Sequence, residues 1–244
     1  MTGGPARSGS ARAVLPLLVA AAVVCSGCHP AGQVSGTPAH AEAAGAHDAT
    51  IHHSFENVEH WAAVFDDPAR DAWQKPQEVI RAMGIRPGQT VADLGTGTGY
   101  FLRYLSPAVG PGGTVFALDT ETALIEHVRE RASREGWTNV RPLVCPPDSP
   151  GLPEGSTDLV LVVDTWHHLD DRLGYLSRLR RILAPGGRVA IVDFRKDASP
   201  PPGPPAVHRL DRSAVIEEFR QAGWQLVEEP KVLDEQYILI FRPA

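Results

Sequence analysis

From about residue 55 onward the apolar positions of this chain alternate between two periods. Short apolar runs at 90–94, 114–119, 139–144, 158–163, 187–193, 224–229 and 236–241 predict β-strands. Between them, segments at 99–108, 121–135, 169–183 and 211–222 carry apolar residues at helical spacing. The clearest stripe is Leu169, Leu173, Leu176, Leu179, Ile182 and Leu183. Strand–helix alternation of this kind predicts parallel strands joined by right-handed crossovers, an α/β doubly wound sheet. The last two strands are separated only by the region around Glu229-Pro230-Lys231, too short for a crossover helix, so the final strand should run antiparallel. Ahead of the first strand, Val58, Trp61, Ala62 and Phe65 predict one helix, broken by Asp66-Asp67-Pro68. A short segment with Arg70, Trp73, Gln74 and Lys75 follows. Pro76 then opens a further helix through Val79, Ile80 and Met83, stopped by Gly84.

The first thirty residues follow a different pattern. Arg7 and Arg12 precede an apolar stretch, Ala13 to Val24, that is short for a bilayer span but suits a signal segment. Cys25-Ser26-Gly27-Cys28 resembles a bacterial lipoprotein box with Cys28 as the lipidated residue, although Cys25 stands where Leu is usual. The expected organisation is a signal or lipoprotein-type segment over 1–28, a flexible linker over 29–54 and one folded domain over 55–244. The expected location is exported or membrane-tethered through Cys28. A plain secretory signal, an Ala-rich extension and a misplaced start are the alternatives, and the last two leave the protein in the cytoplasm. Six of the ten histidines fall between His29 and His60, but without fixed ligand spacing the tract reads as a solvated linker, not a metal site.

Composition narrows the partners. The formal net charge of −6 and the lack of a basic stripe disfavour a nucleic-acid substrate, which needs clustered Lys and Arg against phosphate. Arg129, Arg131 and Arg134 read as a solvated helix face. With three cysteines, two of them at 25 and 28, no disulfide framework forms, and Cys145 at a strand end reads as a small buried hydrophobe.

The candidate chemistry begins at Val91-Ala92-Asp93-Leu94-Gly95-Thr96-Gly97-Thr98-Gly99-Tyr100. An apolar strand ends in an acid, a glycine cluster follows, and the next strand ends in Asp119. This is the layout that grips a nucleoside cofactor at the edge of a doubly wound sheet. A dinucleotide site needs G-x-G-x-x-G, and here Tyr100 stands in place of the third glycine. Asp93, two residues before the first glycine, would repel a pyrophosphate and attract an ammonium group. Asp119 suits a ribose diol. The set favours S-adenosylmethionine over NAD.

These residues resemble motif I of the class I S-adenosylmethionine-dependent methyltransferases, D-x-G-x-G-x-G. The resemblance continues through Asp148-Ser149 before Leu152-Pro153, through Asp158 to Asp164, and through Leu179 to Arg188, covering roughly Gln77 to Phe241. It implies a seven-stranded Rossmann-like sheet of order 3-2-1-4-5-7-6, N-terminal helices over the cofactor pocket and an adenine contact from Asp148-Ser149, despite Pro146-Pro147 where Gly is common. The small-molecule members, such as the quinone-biosynthesis C-methyltransferases, are the most similar. The candidate cofactor residues are Asp93, Gly95, Thr96, Gly97, Gly99, Asp119, Thr120, Asp148, Ser149 and Asp164.

Ligands of such sheets bind beyond the carboxyl ends of the parallel strands. That rule also collects Thr165, Trp166, His167 and His168 after the fourth strand, and Asp193, Phe194 and Arg195 after the fifth. Gln236 and Tyr237 begin the last strand at the same edge, and the proline run 200–205 could wall the pocket. His167 and His168 are the candidate catalytic bases for an acceptor that must lose a proton, or else they pack at the start of the following helix. Trp73 reads as lid packing or as an apolar wall for a small-molecule acceptor. Two other functions stand beside methyl transfer: a non-catalytic, exported or tethered binding protein on the same fold, and a nicotinamide oxidoreductase. No metal is called for, and the oligomeric state is not readable.

Overall fold

The computed structural model describes Met1, residues 57–198 and residues 203–244. The expected signal segment apart from Met1, its Cys28 included, and all of the expected linker therefore lie outside the described residues. Three short helices come first: α1 (Val58–Phe65), α2 (Arg70–Gln74) and α3 (Pro76–Ala82). Asn57 caps α1 by accepting the His60 N–H at 3.0 Å. Lys75, in left-handed backbone at φ 42°, turns the chain between α2 and α3, and Pro76 starts α3 where a missing N–H costs nothing.

The alternating region follows as β1 (Thr90–Leu94), α4 (Leu102–Val109), β2 (Thr114–Asp119), α5 (Thr122–Glu135), β3 (Val140–Val144), β4 (Thr157–Val163), α6 (Arg172–Ile182), β5 (Leu183–Phe194), α7 (Arg212–Gln221), β6 (Trp224–Glu228) and β7 (Gln236–Pro243). The seven strands form one sheet in the order β3-β2-β1-β4-β5-β7-β6. β1 to β5 are parallel to one another, and β7 runs antiparallel to both β5 and β6. Order and direction both match the expectation.

Successive residues of a strand face opposite sides of a sheet. The central strands are accordingly apolar at nearly every position, because helices cover both faces. Val160 and Val162 of β4 pack with Tyr175, Leu176 and Leu179 of α6 and Val215 and Phe219 of α7. Leu159, Leu161 and Val163 join the opposite core with Leu102, Leu105 and Val109 of α4 and Val128 of α5. Each fully buried Val, Leu or Ile is worth about 1.5–3 kcal/mol of transfer free energy.

Three boundaries differ from the sequence reading. The helix after the glycine turn starts at Leu102, not 99, because the chain is still in a turn at Gly99 (φ +85°). The helix expected from 169 starts at Arg172, because Asp171 caps it, accepting the Gly174 N–H at 2.9 Å. That cap leaves Leu173 exposed and puts Tyr175 in the buried stripe instead. β5 begins early, at Leu183. Leu183 pairs with Thr157, and the register then shifts before Leu159 pairs with Arg188, which absorbs the Pro185-Gly186-Gly187 turn as an irregularity within the strand.

Candidate cofactor and acceptor site

β1 delivers Asp93 to the carboxyl edge of the sheet with 3% of its surface exposed. Its Oδ2 accepts the Thr96 hydroxyl at 2.8 Å. Burial, with a further push from Asp119, raises the Asp93 pKa to about 7 against the opposing Thr96 bond and Arg70 charge. The glycine turn then wraps tightly. Gly95 has φ +74°, and a Cβ there would fall 2.2 Å from the Thr165 Oγ1, so only glycine fits. Gly97, also at positive φ, donates its N–H to Asp119 Oδ2 at 2.9 Å. Asp119 Oδ1 accepts from Glu121 N at 3.1 Å. Burial raises the Asp119 pKa, and those backbone bonds hold it partly down. Thr120 beside it is exposed. After β3, Asp148 is exposed and lies 3.7 Å from Arg178, and Ser149 Oγ accepts the Gly151 N–H at 3.2 Å.

Beyond β4 the chain reaches Asp164, a non-glycine residue held at φ +52°, a backbone strain that marks sites where a side chain must be aimed. Gln236 Nε2 donates to Asp164 Oδ1 at 2.6 Å, and Arg70 Nη2 lies 3.8 Å from Oδ2. Burial and the neighbouring Asp193 raise the Asp164 pKa to about 7, opposed by Arg70, His167 and Gln236. Trp166 to His168 form a single 3₁₀ turn. His167 is buried, and its Nδ1 lies 2.9 Å from Asp193 Oδ2 at the end of β5. Burial alone would lower the His167 pKa, but the Asp193 and Asp164 carboxylates raise it above the ordinary value. His168 is half-buried, with its ring centroid 4.2 Å from that of His167. The cap of α6 is Asp171, so neither histidine caps the helix.

The lid was only partly legible in the sequence. Gln74 of α2 is fully buried and donates to Gln236 Oε1 at 2.5 Å. Arg70 donates to Gln74 Oε1 and to the Phe65 carbonyl, and its guanidinium sits 4.1 Å from the Tyr100 ring centroid. Asp71 accepts from the Tyr100 and Tyr104 hydroxyls and from Arg103, which pins α2 onto α4. Arg131 corrects the expectation of a solvated face. It is buried, holds Asp66 through both carboxylate oxygens and donates to the Thr98 carbonyl at 3.0 Å, tying α1 to the glycine turn. Trp73 lies half-buried with its ring 5.6 Å from that of Phe194. Tyr237 packs in the α6–α7 core, and its buried hydroxyl has no hydrogen-bond partner among the described residues. Cys145 is buried, which raises its thiol pKa to about 11 and makes it a packing residue. Nothing in the sequence flagged Arg209, which is 3% exposed behind Phe194. A polar cavity of about 390 Å³ lined by Arg86, Gln89, Asp158 and Arg188 lies at the opposite, amino ends of the strands.

Buried Asp93 and half-buried Asp119 and Asp164, whose ionisation is disfavoured, lie around the glycine turn. Inserting a cation there reverses that cost. The donor set therefore fits a ligand with an ammonium or sulfonium group and a ribose diol, and opposes a pyrophosphate beside Asp93.

Known proteins give an independent measure. Residues 92–191 match the family described as a methyltransferase domain. The ubiquinone/menaquinone biosynthesis C-methyltransferase UbiE of Cupriavidus taiwanensis is 30% identical over 146 residues, 59% of this chain and 56% of that protein. The aklanonic acid methyltransferase DauC of a Streptomyces species is 35% identical over 115 residues, 46% of this chain and 52% of that protein. The chain thus spans about half the length of these relatives. The crystal structure of a SAM dependent methyltransferase from Aquifex aeolicus superposes with a TM-score of 0.72 at 27% identity, covering 78% of this chain and 98% of that one.

Proposed function

We propose that this chain, which carries a class I S-adenosylmethionine-dependent methyltransferase domain, methylates a small organic acceptor that enters between α2 and the end of β5. The observation that carries the reading is the juxtaposition of buried Asp93 and half-buried Asp119 on the Gly95–Gly99 turn, with Asp119 already engaged by the Gly97 N–H. In this reading Asp93 takes the cofactor's ammonium, Asp119 its ribose diol, and Asp148 and Ser149 its adenine. Asp164 adds negative charge on the cationic side, and Gly95, Thr96, Gly97, Gly99 and Thr120 shape the cradle. Bound there, S-adenosylmethionine supplies a methyl group already activated on a sulfonium with a neutral leaving group.

The protein's own work is then alignment and proton handling. Positioning of two reactants is worth about 7–11 kcal/mol when the geometry is near attack. Gln236 and Asp164 form a floor to which Gln74 bonds α2, and Tyr100, Arg103 and Tyr104 hold α2 over it through Asp71. His167 is the base for an acceptor that must lose a proton. Asp193 at Nδ1 keeps the proton on that nitrogen, so in the neutral ring the lone pair is on Nε2. Asp193 acts through His167 and is a positioning residue.

The export or lipoprotein assignment of residues 1–28 stays a proposal, motivated by the Arg7–Cys28 pattern. Intact-mass measurement of the native protein tests both readings. Removal of 27 residues with an acylated Cys28 supports a tether, and a copurifying adenosyl ligand supports the cofactor. Calorimetry with S-adenosylmethionine and NAD tests the cofactor directly: binding of NAD without S-adenosylmethionine refutes methyl transfer.

A further inference from the structure

We propose that Arg70, borne on the α1–α2 lid, discriminates by charge between the cofactor and its demethylated product: the sulfonium of S-adenosylmethionine loosens the lid, and the neutral thioether of S-adenosylhomocysteine lets it close. This rests on the methyltransferase reading and goes beyond it in giving a discriminating role to a residue outside the cofactor cradle. The lid is lightly packed. α1 buries none of its residues, and α2 buries Gln74 alone. Its hold on the body of the domain is therefore largely polar: Asp71 on Tyr100, Arg103 and Tyr104, Gln74 on Gln236, and Asp66 on Arg131. An element with so little buried apolar surface opens at small cost, and a change in one charged contact shifts that equilibrium.

Within this lid Arg70 faces the site. Its Nε and Nη2 donate to Gln74 Oε1 at 3.2 and 3.1 Å, and its Nη1 to the Phe65 carbonyl at 3.0 Å. All three bonds go to the lid's own atoms, so the charge travels with the lid. The carboxylates it meets belong to the body. Nη2 lies 3.8 Å from Asp164 Oδ2, an ion pair without a hydrogen bond, between side chains that are 14% and 21% exposed. The Arg70 charge also opposes the raised pKa of both Asp93 and Asp164. Phe65 carries the lid as far as the glycine turn, where a Cβ added to Gly97 would fall 3.6 Å from its ring. Attraction between this lid-borne cation and the carboxylates draws the lid down. Asp93 and Asp164 are the groups assigned to the cofactor's cationic side. A sulfonium drawn to them competes with Arg70 for the same negative charge and repels it. Methyl transfer leaves the carbon–sulfur bonding pair on sulfur, so the product carries a neutral thioether and both effects vanish.

The alternative role for Arg70 is a strut that only ties α1 to α2 through Phe65 and Gln74. Hydrogen–deuterium exchange of the full chain, saturated in turn with S-adenosylmethionine and S-adenosylhomocysteine, separates the two. The amides of α1 and α2 should exchange at least about threefold faster with S-adenosylmethionine, the scale of a partly exposed ion pair, while those of β4 exchange equally. Arg70→Gln should abolish that difference. It should also shift the affinity ratio of the two ligands toward S-adenosylmethionine by about threefold or more, read by calorimetry. Arg70→Lys, which keeps the charge but not the forked bonds, should retain the wild-type exchange difference and affinity ratio. Equal exchange with the two ligands in the wild type, or slower exchange with S-adenosylmethionine, overturns the proposal, and that comparison needs no variant to fold. So does loss of the difference in R70K and R70Q alike, the mark of a strut. Failure of the wild-type chain to bind either ligand is read separately and refutes the methyltransferase reading itself.

Discussion

Asp93→Asn isolates the charge on which the cofactor assignment rests. The amide keeps the shape of the side chain and its contact with the Thr96 hydroxyl, so the change is electrostatic. With its pKa near 7, Asp93 in the empty protein is about one-tenth ionised at pH 6 and about three-quarters ionised at pH 7.5. A cation binds the ionised form, so wild-type affinity for S-adenosylmethionine should rise roughly eightfold over that interval. The ligand's α-amino group, with its own pKa near 8, is still about three-quarters protonated at pH 7.5, which trims the rise to about sixfold. A charge-assisted hydrogen bond is worth about 1.5–3 kcal/mol. D93N should therefore weaken binding at pH 7.5 by about 10- to 150-fold, a gap that narrows toward pH 6. The empty protein should respond in the opposite sense. A carboxyl whose folded pKa is raised lends stability below its unfolded value near 4, and that stability is lost as pH rises through about 7. D93N removes this loss, worth at most roughly 4 kcal/mol, so its unfolding temperature at pH 8 should exceed that of the wild type and the gain should vanish near pH 4. Calorimetry gives the affinities and thermal unfolding the stabilities. D93N affinity within twofold of wild type at pH 7.5 refutes the contact between Asp93 and the ligand's cation.

Other outcomes follow from the same geometry. His167→Ala should lower kcat on the identified acceptor by roughly 10²–10⁴ while cofactor affinity stays within a factor of a few; full turnover in H167A would make His167 a packing residue. Because the Asp193 pair raises the His167 pKa, the ascending limb of the pH–rate profile should lie above 6.5, and Asp193→Asn should move it down. Gly95→Ala should cost at least about 1–3 kcal/mol of stability, read by denaturant unfolding, because it adds a Cβ against Thr165 to a residue at φ +74°. A chain starting at His53 should remain soluble and unfold cooperatively, since the apolar pattern of the fold begins after it; loss of cooperativity would show that the preceding segment packs on the core.

What the sequence made legible was whatever depends on local period and turn chemistry. Strand and helix order, the antiparallel last strand and the acid–glycine turn all rest on short-range rules, and they appear where those rules put them. The errors came where a side chain overrode the period. Asp171 capped α6 three residues late and left Leu173 in solvent. Arg131 lies on a polar-looking face of α5 yet is buried, because Asp66, 65 positions away, comes to meet it.

That last case explains why half of the site could not be read. The cofactor side is contiguous in sequence, so its chemistry shows as a motif. On the proposed reading the acceptor side is assembled from α2, the turn after β4, the end of β5 and the start of β7, and no two of these are adjacent in the chain. Gln74 and Gln236 are 162 positions apart and form one hydrogen bond. Taken singly, a buried glutamine and a tryptophan in a short helix each have an ordinary packing explanation. On the proposed reading, the link from Gln74 through Gln236 to Asp164 and the contact of Trp73 with Phe194 give them a common purpose. On the proposed reading, specificity for the acceptor is written in tertiary contacts between elements, while the acid–glycine part of the cofactor cradle is written in a single turn. Substitution of Trp73 should consequently retune which acceptor is methylated while leaving cofactor affinity within a factor of a few, whereas changes at 93–99 should weaken both steps together.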